Sequence, residues 1–428
     1  MRLLYSAILY CSIPFFVLKM LLRSRKAPAY RKRLAERFGL FTVALGQIER
    51  PTIWVHAVSV GETIAAAPLV EDLLLRYPEH TVVLTTTTPT GSERVGALFG
   101  DRVFHVYAPW DLPGAVKRFL KKVRPQLLVI METELWPNML HYSAASGTKV
   151  VLANARMSER SASGYKRFSS LTQSMLTDLN KVACQSQGDA NRMLEMGLRP
   201  EQLEVTGSIK FDLELNPQLR ERSLQMKSQW GLEHRPLLVA ASTHPGEDEI
   251  ILTAFAELRT SVDNCLLLLV PRHPERFEAV FELCSARGWR VRRRSEGGAP
   301  LPGDDIIVGD SMGELLLLLS LGNVAVIGGS LVEHGGHNAL EASTWGVPVV
   351  TGPSMFNFSE ISELLSNAGA MIMLSRAEDL GSTLQELFGN QQLLQEMGES
   401  GLRVIAENRG AKKRLLALID EQLAAVQL

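Results

Sequence analysis

Cysteine is scarce in this sequence. Cys11, Cys184, Cys265 and Cys284 stand far apart, with no CxxC pair and no histidine at ligand spacing. A disulfide framework and a cysteine-built zinc site are thereby excluded, and the four thiols read as buried groups of a reducing compartment. An excess of charge of one sign is also missing: the formal net charge is −1 with 21% charged residues, which leaves no overall basic surplus for nucleic acid. Internal repeats and low-complexity tracts are absent. Acidic metal patterns are poorly represented, because Asp304-Asp305 precedes a strand rather than following one and Asp212-Leu213-Glu214 is weak. Neither a metal nor another cofactor is required.

Long apolar runs are lacking too, with one exception. Residues 3 to 18, LLYSAILYCSIPFFVL, are almost wholly apolar, and after Lys19 the run resumes through Leu22. That is marginal for crossing a bilayer, which takes about 20 residues. Basic residues follow the run: Arg23, Arg25, Lys26, Arg31, Lys32, Arg33 and Arg37, against a single acid, Glu36. A secretory signal carries its charge in front and a small-residue cleavage site behind, whereas here only Arg2 precedes. The expectation is a membrane anchor over 1–22, spanning or lying on the membrane, then a basic membrane-proximal segment over 23–50. The positive-inside rule keeps the body cytoplasmic, and each basic side chain near anionic lipid contributes about 1 kcal/mol. The alternative is an amphipathic or core-packed first helix.

At 428 residues the chain has room for two domains, each with its own core. From Pro51 onward short β-rich runs alternate with helical patterns. Thr52 to Val58, Thr81 to Thr86, Val103 to Val106, Leu127 to Met131, Val150 to Ala153 and Val182 to Cys184 read as strands. Around Pro217 to Trp230 the pattern turns polar. It restarts with Leu237 to Ala241, Leu266 to Val270, Ile306 to Val308, Val324 to Ile327 and Val347 to Val350. Alternating βα units predict an α/β protein with two doubly wound, Rossmann-like parallel sheets. The predicted domains are 51–216 and 236–398, joined by a linker over 217–235. A C-terminal helical segment, 399–428, returns to the first domain. Ligands are expected in a central cleft facing the carboxyl ends of the strands.

Residues 328 to 352, GGSLVEHGGHNALEASTWGVPVVTG, organise the second half. Strand, glycine loop and helix start, with Asn338 as N-cap of a helix over Ala339 to Trp345, predict an anion site that suits one phosphate. Glu341 in the first turn suits a ribose diol, and Glu333 precedes it by a seven-residue gap; the plainer alternative is a glycine-rich turn with two surface glutamates. Other polar motifs also fall just after strands. Glu62 follows the first strand at a helix start, either as a general base or as a capping glutamate. Glu132 and Glu134 share one face if the strand continues through them, whereas a turn splays them. Arg156, Arg160, Lys210, Arg272 and His273 bring positive charge to three exits and imply an anionic ligand. GDSMGEL at 309–315 puts Gly313 at another strand-to-helix corner.

With these residues assembled, the chain resembles the 3-deoxy-D-manno-octulosonic acid (Kdo) transferases of lipopolysaccharide assembly, membrane-associated glycosyltransferases of the two-domain GT-B type. The carriers are HAVSVGET (56–63), TPTGSERV (88–95), METELWPN (131–138), NARMSERSASGY (154–165), TGSIKFD (206–212), VPRHPERF (270–277), GDSMGELL (309–316) and GGSLVEHGGHNALEA (328–342). The resemblance implies inverting transfer of Kdo from CMP-Kdo to the lipid A precursor, lipid IVA, on the cytoplasmic face of the inner membrane, without a metal. It implies Glu62 as proton acceptor and Glu132 and Lys210 as transition-state stabilisers. Pro271, Arg272, Met312, Gly313, Glu314, Asn338, Ala339, Leu340 and Glu341 match its CMP-binding segments. It leaves open how many Kdo residues are added, and protein partners are unknown. Competing readings are a nucleotide-sugar epimerase or hydrolase of similar shape and a membrane-tethered nucleotide-sugar binding protein without catalysis.

Overall fold

Fourteen short strands carry the architecture. In the computed structural model, which describes residues 1–25, 28–43, 48, 50–213 and 215–426, they form two separate seven-stranded sheets. Lys26 of the basic segment and Glu214 of the weak acidic motif lie outside the described residues. The first sheet contains β1 (Thr52–His56), β2 (Thr81–Thr86), β3 (Phe104–Tyr107), β4 (Pro125–Met131), β5 (Lys149–Ala155), β6 (Lys181–Cys184) and β7 (Leu203–Val205). Its order is β3-β2-β1-β4-β5-β6-β7, with every pair parallel. The second contains β8 (Leu237–Thr243), β9 (Leu266–Pro271), β10 (Val291–Arg293), β11 (Ile306–Val308), β12 (Val324–Ile327), β13 (Val349–Thr351) and β14 (Met371–Met373). Its order is β10-β11-β9-β8-β12-β13-β14, again all parallel.

Parallel strands are covered by helices on both faces, so their sequences are apolar throughout rather than alternating. In β1 all five residues are buried. Trp54 packs with Phe119 and Leu128 on one face, while Ile53 and Val55 pack with Leu69 and Leu84 on the other. Chain reversal between β1 and β4 in the first sheet, and between β8 and β12 in the second, opens a crevice at the strand ends of each. Three strands were not among those read from sequence: β7, β10 and β14. Each has three residues and lies at a sheet edge, where half of the backbone pairing and part of the burial are missing, so the apolar signal fades.

Contacts divide the chain into one unit of Met1–Asp212 with Arg409–Leu428 and another of Leu213–Asn408. Two segment boundaries therefore move. Residues 217–235, expected to be a linker, begin with a regular helix, Pro217–Gln229, that belongs to the second unit. Ser223 accepts a hydrogen bond from the Ser320 hydroxyl at 2.7 Å, and Met226 and Trp230 are buried. At the other end the helix Gln391–Asn408 stays with the second unit, so the return to the first begins at 409 rather than 399.

The returning helix, Ala411–Ala424, lays Leu415, Leu416, Ile419 and Leu423 into the core that covers β1, β2 and β4. Its first turn is held by the Asp212 carboxylate, which accepts from the backbone N–H groups of Gly410 (2.6 Å) and Lys412 (2.5 Å). The apolar helix α1 (Arg2–Arg23) is long and apolar enough to cross a membrane, and only 6% of its apolar window is buried. That exposure rules out the core-packed alternative.

Truncating the fully buried Ile419 to Ala should cost about 2–5 kcal/mol, the range for emptying a buried aliphatic site. Hydrogen exchange should accelerate in β1, β2 and β4 and stay unchanged in β8 to β13. Faster exchange confined to the second sheet would contradict the assignment of this helix to the first core.

Candidate functional site

In the first unit, the loops after β1 and β4 meet at the switch point of the sheet. Helix α2 (Val60–Arg76) starts there with Ser59 as N-cap. The Ser59 hydroxyl accepts from the Glu62 N–H at 3.2 Å and reaches one Glu62 carboxylate oxygen at 2.9 Å; the other oxygen accepts from the Val58 N–H at 2.7 Å. The pattern is related to a capping box, but the glutamate reaches back to the N–H of the residue before the cap and to the cap hydroxyl rather than to the N–H of the cap residue itself. Glu62 is thus a helix cap, yet it is also buried, and burial pushes its carboxyl up to about 7. The negative charges of Glu134 and Glu132 push the same way, while the Val58 and Ser59 hydrogen bonds pull it back.

The chain turns after β4, so the strand does not continue through Glu132 and Glu134. Glu132 takes a left-handed backbone, φ 57°, while its N–H still bonds the Ala153 carbonyl at 2.9 Å. A non-glycine residue there is uncommon and strained. The turn sends the two carboxylates to different partners. Glu132 lies 3.6 Å from the Lys210 ammonium, and Glu134 accepts from the Trp136 indole N–H at 2.8 Å. Burial raises the Glu134 carboxyl above the usual carboxylate range. Thr133 between them donates to the Arg156 carbonyl at 2.7 Å, tying this loop to the exit of β5.

Lys210 rides on a short turn, Ile209–Phe211, whose position was not evident from its sequence. Asn154, fully buried and at φ 54° inside an irregularity of the β5 ladder, accepts from the Ile209 N–H at 3.1 Å. Of the other predicted cations in this unit, Arg156 is half-buried and Arg160 is exposed on the following helix.

In the second unit the loops after β8 and β12 meet, and here one expectation is overturned. The glycine loop was expected to offer its backbone N–H groups to a ligand phosphate. Instead Gly329, Ser330 and Leu331 donate at 2.6, 3.0 and 2.9 Å to the carboxylate of Glu247, which is fully buried and also accepts from the His244 N–H at 2.8 Å. The protein supplies its own anion to this loop. The Gly335 and Gly336 N–H groups are engaged as well, by the Ser354 hydroxyl and the Gly329 carbonyl. A Cβ on Gly328 would lie 2.3 Å from the Ser242 carbonyl oxygen, so the loop closes only because that residue is glycine. The helix expected over Ala339 to Trp345 is a single turn, Leu340–Ser343, with Ala339 rather than Asn338 at its cap. Asn338 still accepts from the Leu340 N–H at 3.2 Å.

Beside this loop, polar side chains form a cluster of their own. Four histidines gather there: His244 and His337 approach through their Nε2 atoms at 2.8 Å, and the His244 ring lies 3.8 Å from that of His334 and 5.4 Å from that of His273. His244 and His337 are each pushed down to about 4, first by burial and then by neighbouring imidazoles and the cations Arg272 and, for His244, Arg276. Arg272 is exposed and follows the buried Pro271. Its charge also reaches Glu341, whose carboxyl is raised by burial and lowered by Asn338 and Arg272. Arg272, Asn338 and Glu341 are therefore brought together, with Ala339 and Leu340 buried beneath them, while Glu333 points to solvent. The predicted trio at the exit of β11 forms its own cluster. Met312 is exposed, Gly313 takes φ 81°, and Glu314 binds Arg294 (3.2 Å), Arg222 (3.4 Å) and the Ser311 hydroxyl (2.6 Å). The His244 and Glu247 roles were missed in sequence. The signal was there in STHPGE after β8, but nothing local says that its glutamate binds a loop more than 80 residues away.

Residues 32–213 match the family described as 3-Deoxy-D-manno-octulosonic-acid transferase (kdotransferase). Along its whole length the chain is similar to 3-deoxy-D-manno-octulosonic acid transferase of Haemophilus influenzae, 42% identical over 426 residues and covering 99% of both proteins. It is 35% identical to the Bordetella pertussis enzyme of that name, with 98% and 99% coverage. Among solved structures it is similar in fold to UDP-GlcNAc 2-epimerase from Neisseria meningitidis, TM-score 0.57 at 12% identity, over 87% of this chain and 100% of that one. At that identity the likeness concerns the two-sheet GT-B-like fold alone. Full-length identity at these levels settles the family: the chain belongs to the 3-deoxy-D-manno-octulosonic acid transferases.

Proposed function

We propose that this transferase moves Kdo from CMP-Kdo to the acylated, phosphorylated disaccharide lipid IVA, with its first unit taking the acceptor and its second the donor. The observation that carries the reading is Glu62, a carboxyl held near 7 at the switch point of the first sheet beside the Glu132–Lys210 pair. A general base works best when its pKa lies close to the working pH. In the reaction, the acceptor hydroxyl oxygen forms a bond to the anomeric carbon of Kdo and its proton passes to Glu62. The bond from that carbon to the phosphate oxygen breaks, with the electron pair staying on CMP. Lys210 supplies positive charge as the transition state develops, and Glu132 holds its ammonium in place. Arg272 takes phosphate charge, Glu341 the ribose hydroxyls, and the Met312–Glu314 corner the rest of the nucleotide. The apolar α1 and the basic residues behind it hold the enzyme on the cytoplasmic face of the inner membrane.

Glu62→Gln keeps the shape of the side chain but cannot take a proton, so turnover should fall by roughly 10² to 10⁴ while CMP affinity stays as in the wild type. The wild-type rate should fall as pH drops through about 7, because the base is lost on protonation, and that acid limb should vanish from the residual activity of the variant. An unaltered acid limb would move the role to another carboxylate, with Glu134 the next to test.

Glu341→Ala removes a charge-assisted contact worth about 1.5–3 kcal/mol, which corresponds to roughly ten- to hundredfold weaker CMP binding. Titration calorimetry on the folded variant reads this directly, and unchanged affinity would remove Glu341 from the ribose site.

A further inference from the structure

Helix α1 does more than expose an apolar surface. Leu3 and Phe15 are 78% and 64% exposed, but the opposite side is keyed to the body by polar groups. The Ser6 hydroxyl and the Arg2 guanidinium donate to the Asn138 side-chain oxygen at 3.1 and 3.3 Å, and the Asn138 amide donates to the Asp111 carbonyl at 2.7 Å. The Asp111 carboxylate, almost fully buried, accepts from the N–H groups of Asn138 and Met139 and from the Tyr5 hydroxyl. Further along, the Gly114 N–H donates to the Tyr10 hydroxyl at 3.1 Å. Hydrogen bonds at positions 2, 5, 6 and 10 fix both the rotation and the height of the helix. Holding a protein to a bilayer by itself requires neither.

The fixed helix has an apolar groove on each side, with Tyr5 common to both. The first, of about 410 Å³, is walled by Leu9, Ile13, Phe16, Trp110 and Trp136, with Lys19, Arg23 and Arg37 also lining it. Arg37 is 4% exposed; its Nη2 donates to the Thr87 carbonyl at 2.8 Å and its guanidinium lies 4.4 Å from the centre of the Tyr107 ring, which fixes a positive charge at the wall of the groove where an anion would be attracted. The second groove, of about 540 Å³, is lined by Leu4, Ile8, Leu135, Gly164 and Phe168 and has no charged side chain. Both volumes suit a small-molecule site. Both grooves also run to the reacting end of the unit. Trp136 and Leu135, one in each groove, directly follow Glu134, and Thr87 of the first groove bonds through its N–H to the carbonyl of Val58, whose own N–H holds Glu62.

We propose that α1 is a dividing rib of the acceptor site, the two grooves beside it taking fatty acyl chains of one phosphorylated, multiply acylated lipid and the basic groups of the first groove taking its phosphate. This rests on the reading that the first unit binds the acceptor. The bilayer contributes bulk lipid around the exposed face of α1, while the grooves belong to the substrate.

Gly164→Trp is the sharpest test, because a Cβ at Gly164 meets nothing within 4 Å and the residue sits in a regular helix, Glu159–Lys166, so the indole enters the second groove without displacing backbone. Ile13→Trp does the same for the first. The full-length enzyme in detergent micelles is assayed with two disaccharide phosphates that differ only in acyl length, one long-chained and one with chains of about four carbons. The wild type should prefer the long-chain acceptor, and each variant should lower that preference in kcat/KM at least tenfold while CMP affinity and short-chain turnover hold. An unchanged preference in both variants overturns the proposal and leaves the grooves to bulk membrane lipid. Equal losses on both acceptors overturn it too, as the grooves would then serve the headgroup. A wild type that transfers to neither acceptor overturns instead the acceptor reading on which the proposal rests.

Discussion

Every strand in each of these sheets runs the same way, and the rest of the molecule follows from that constraint. All carboxyl ends of a parallel sheet lie along one edge, so the connections that leave them share one neighbourhood. In the first unit this gathers Glu62, Glu132, Glu134 and Lys210 from segments as far apart as residues 62 and 210. In the second it gathers the histidines, Arg272 and Glu341. None of these groups needs long side-chain reach, because the sheet has already done the gathering.

Gathering charges at the edge of a buried sheet has a cost, and the backbone bears part of it. Glu132, Asn154 and Ser242 all have positive φ, each at or just inside a strand end, and the ladders beside Asn154 and Ser242 slip register there. Residues with a Cβ resist this conformation by about 1–3 kcal/mol each. Compensation is visible in hydrogen bonds: Asn154 holds the turn that carries Lys210, and the Glu132 N–H keeps its ladder partner while its carboxylate is turned toward that same lysine. Glu247 is the counterpart in the second unit. It spends a buried negative charge on four backbone N–H groups, so the glycine loop has a fixed shape before any ligand arrives.

The alternation of βα units was legible because buried parallel strands carry unbroken apolar runs, as β9 does throughout and as β1 and β8 do over Ile53–Val55 and Leu237–Ala241. It failed at β7, β10 and β14, where edge positions leave Arg292 and Arg293 only partly covered and Glu204 exposed. The helix Pro217–Gln229 was read as a linker because so little of it is buried that its apolar stripe is barely present. Strand-exit motifs correctly marked where polar residues would cluster, yet the pairing within each cluster was not readable. Whether Glu132 and Glu134 share a face depends on one dihedral angle, and whether the glycine loop is free depends on a glutamate from another connection. In α1 the apolar run was plain, while the polar keys Tyr5, Ser6 and Tyr10 look like incidental interruptions until Asp111 and Asn138 stand beside them.

Glu62 shows why a sequence position can hold two readings that the structure does not force apart. A cap and a base look like rivals, since capping hydrogen bonds favour the ionised carboxylate and would leave it a poor proton acceptor. The bonds from Val58 and Ser59 do pull in that direction, but burial and the two neighbouring glutamates outweigh them and bring the group to about 7. A carboxylate has about four acceptor positions, and the cap uses one on each oxygen. The remaining positions are not taken by these capping bonds. Because the cap also fixes the rotamer, the entropy of orienting the base is lost on folding rather than at the moment of reaction. In the proposed reaction capping is then the means by which the base is positioned, and the helix start after β1 is where one residue would meet both demands.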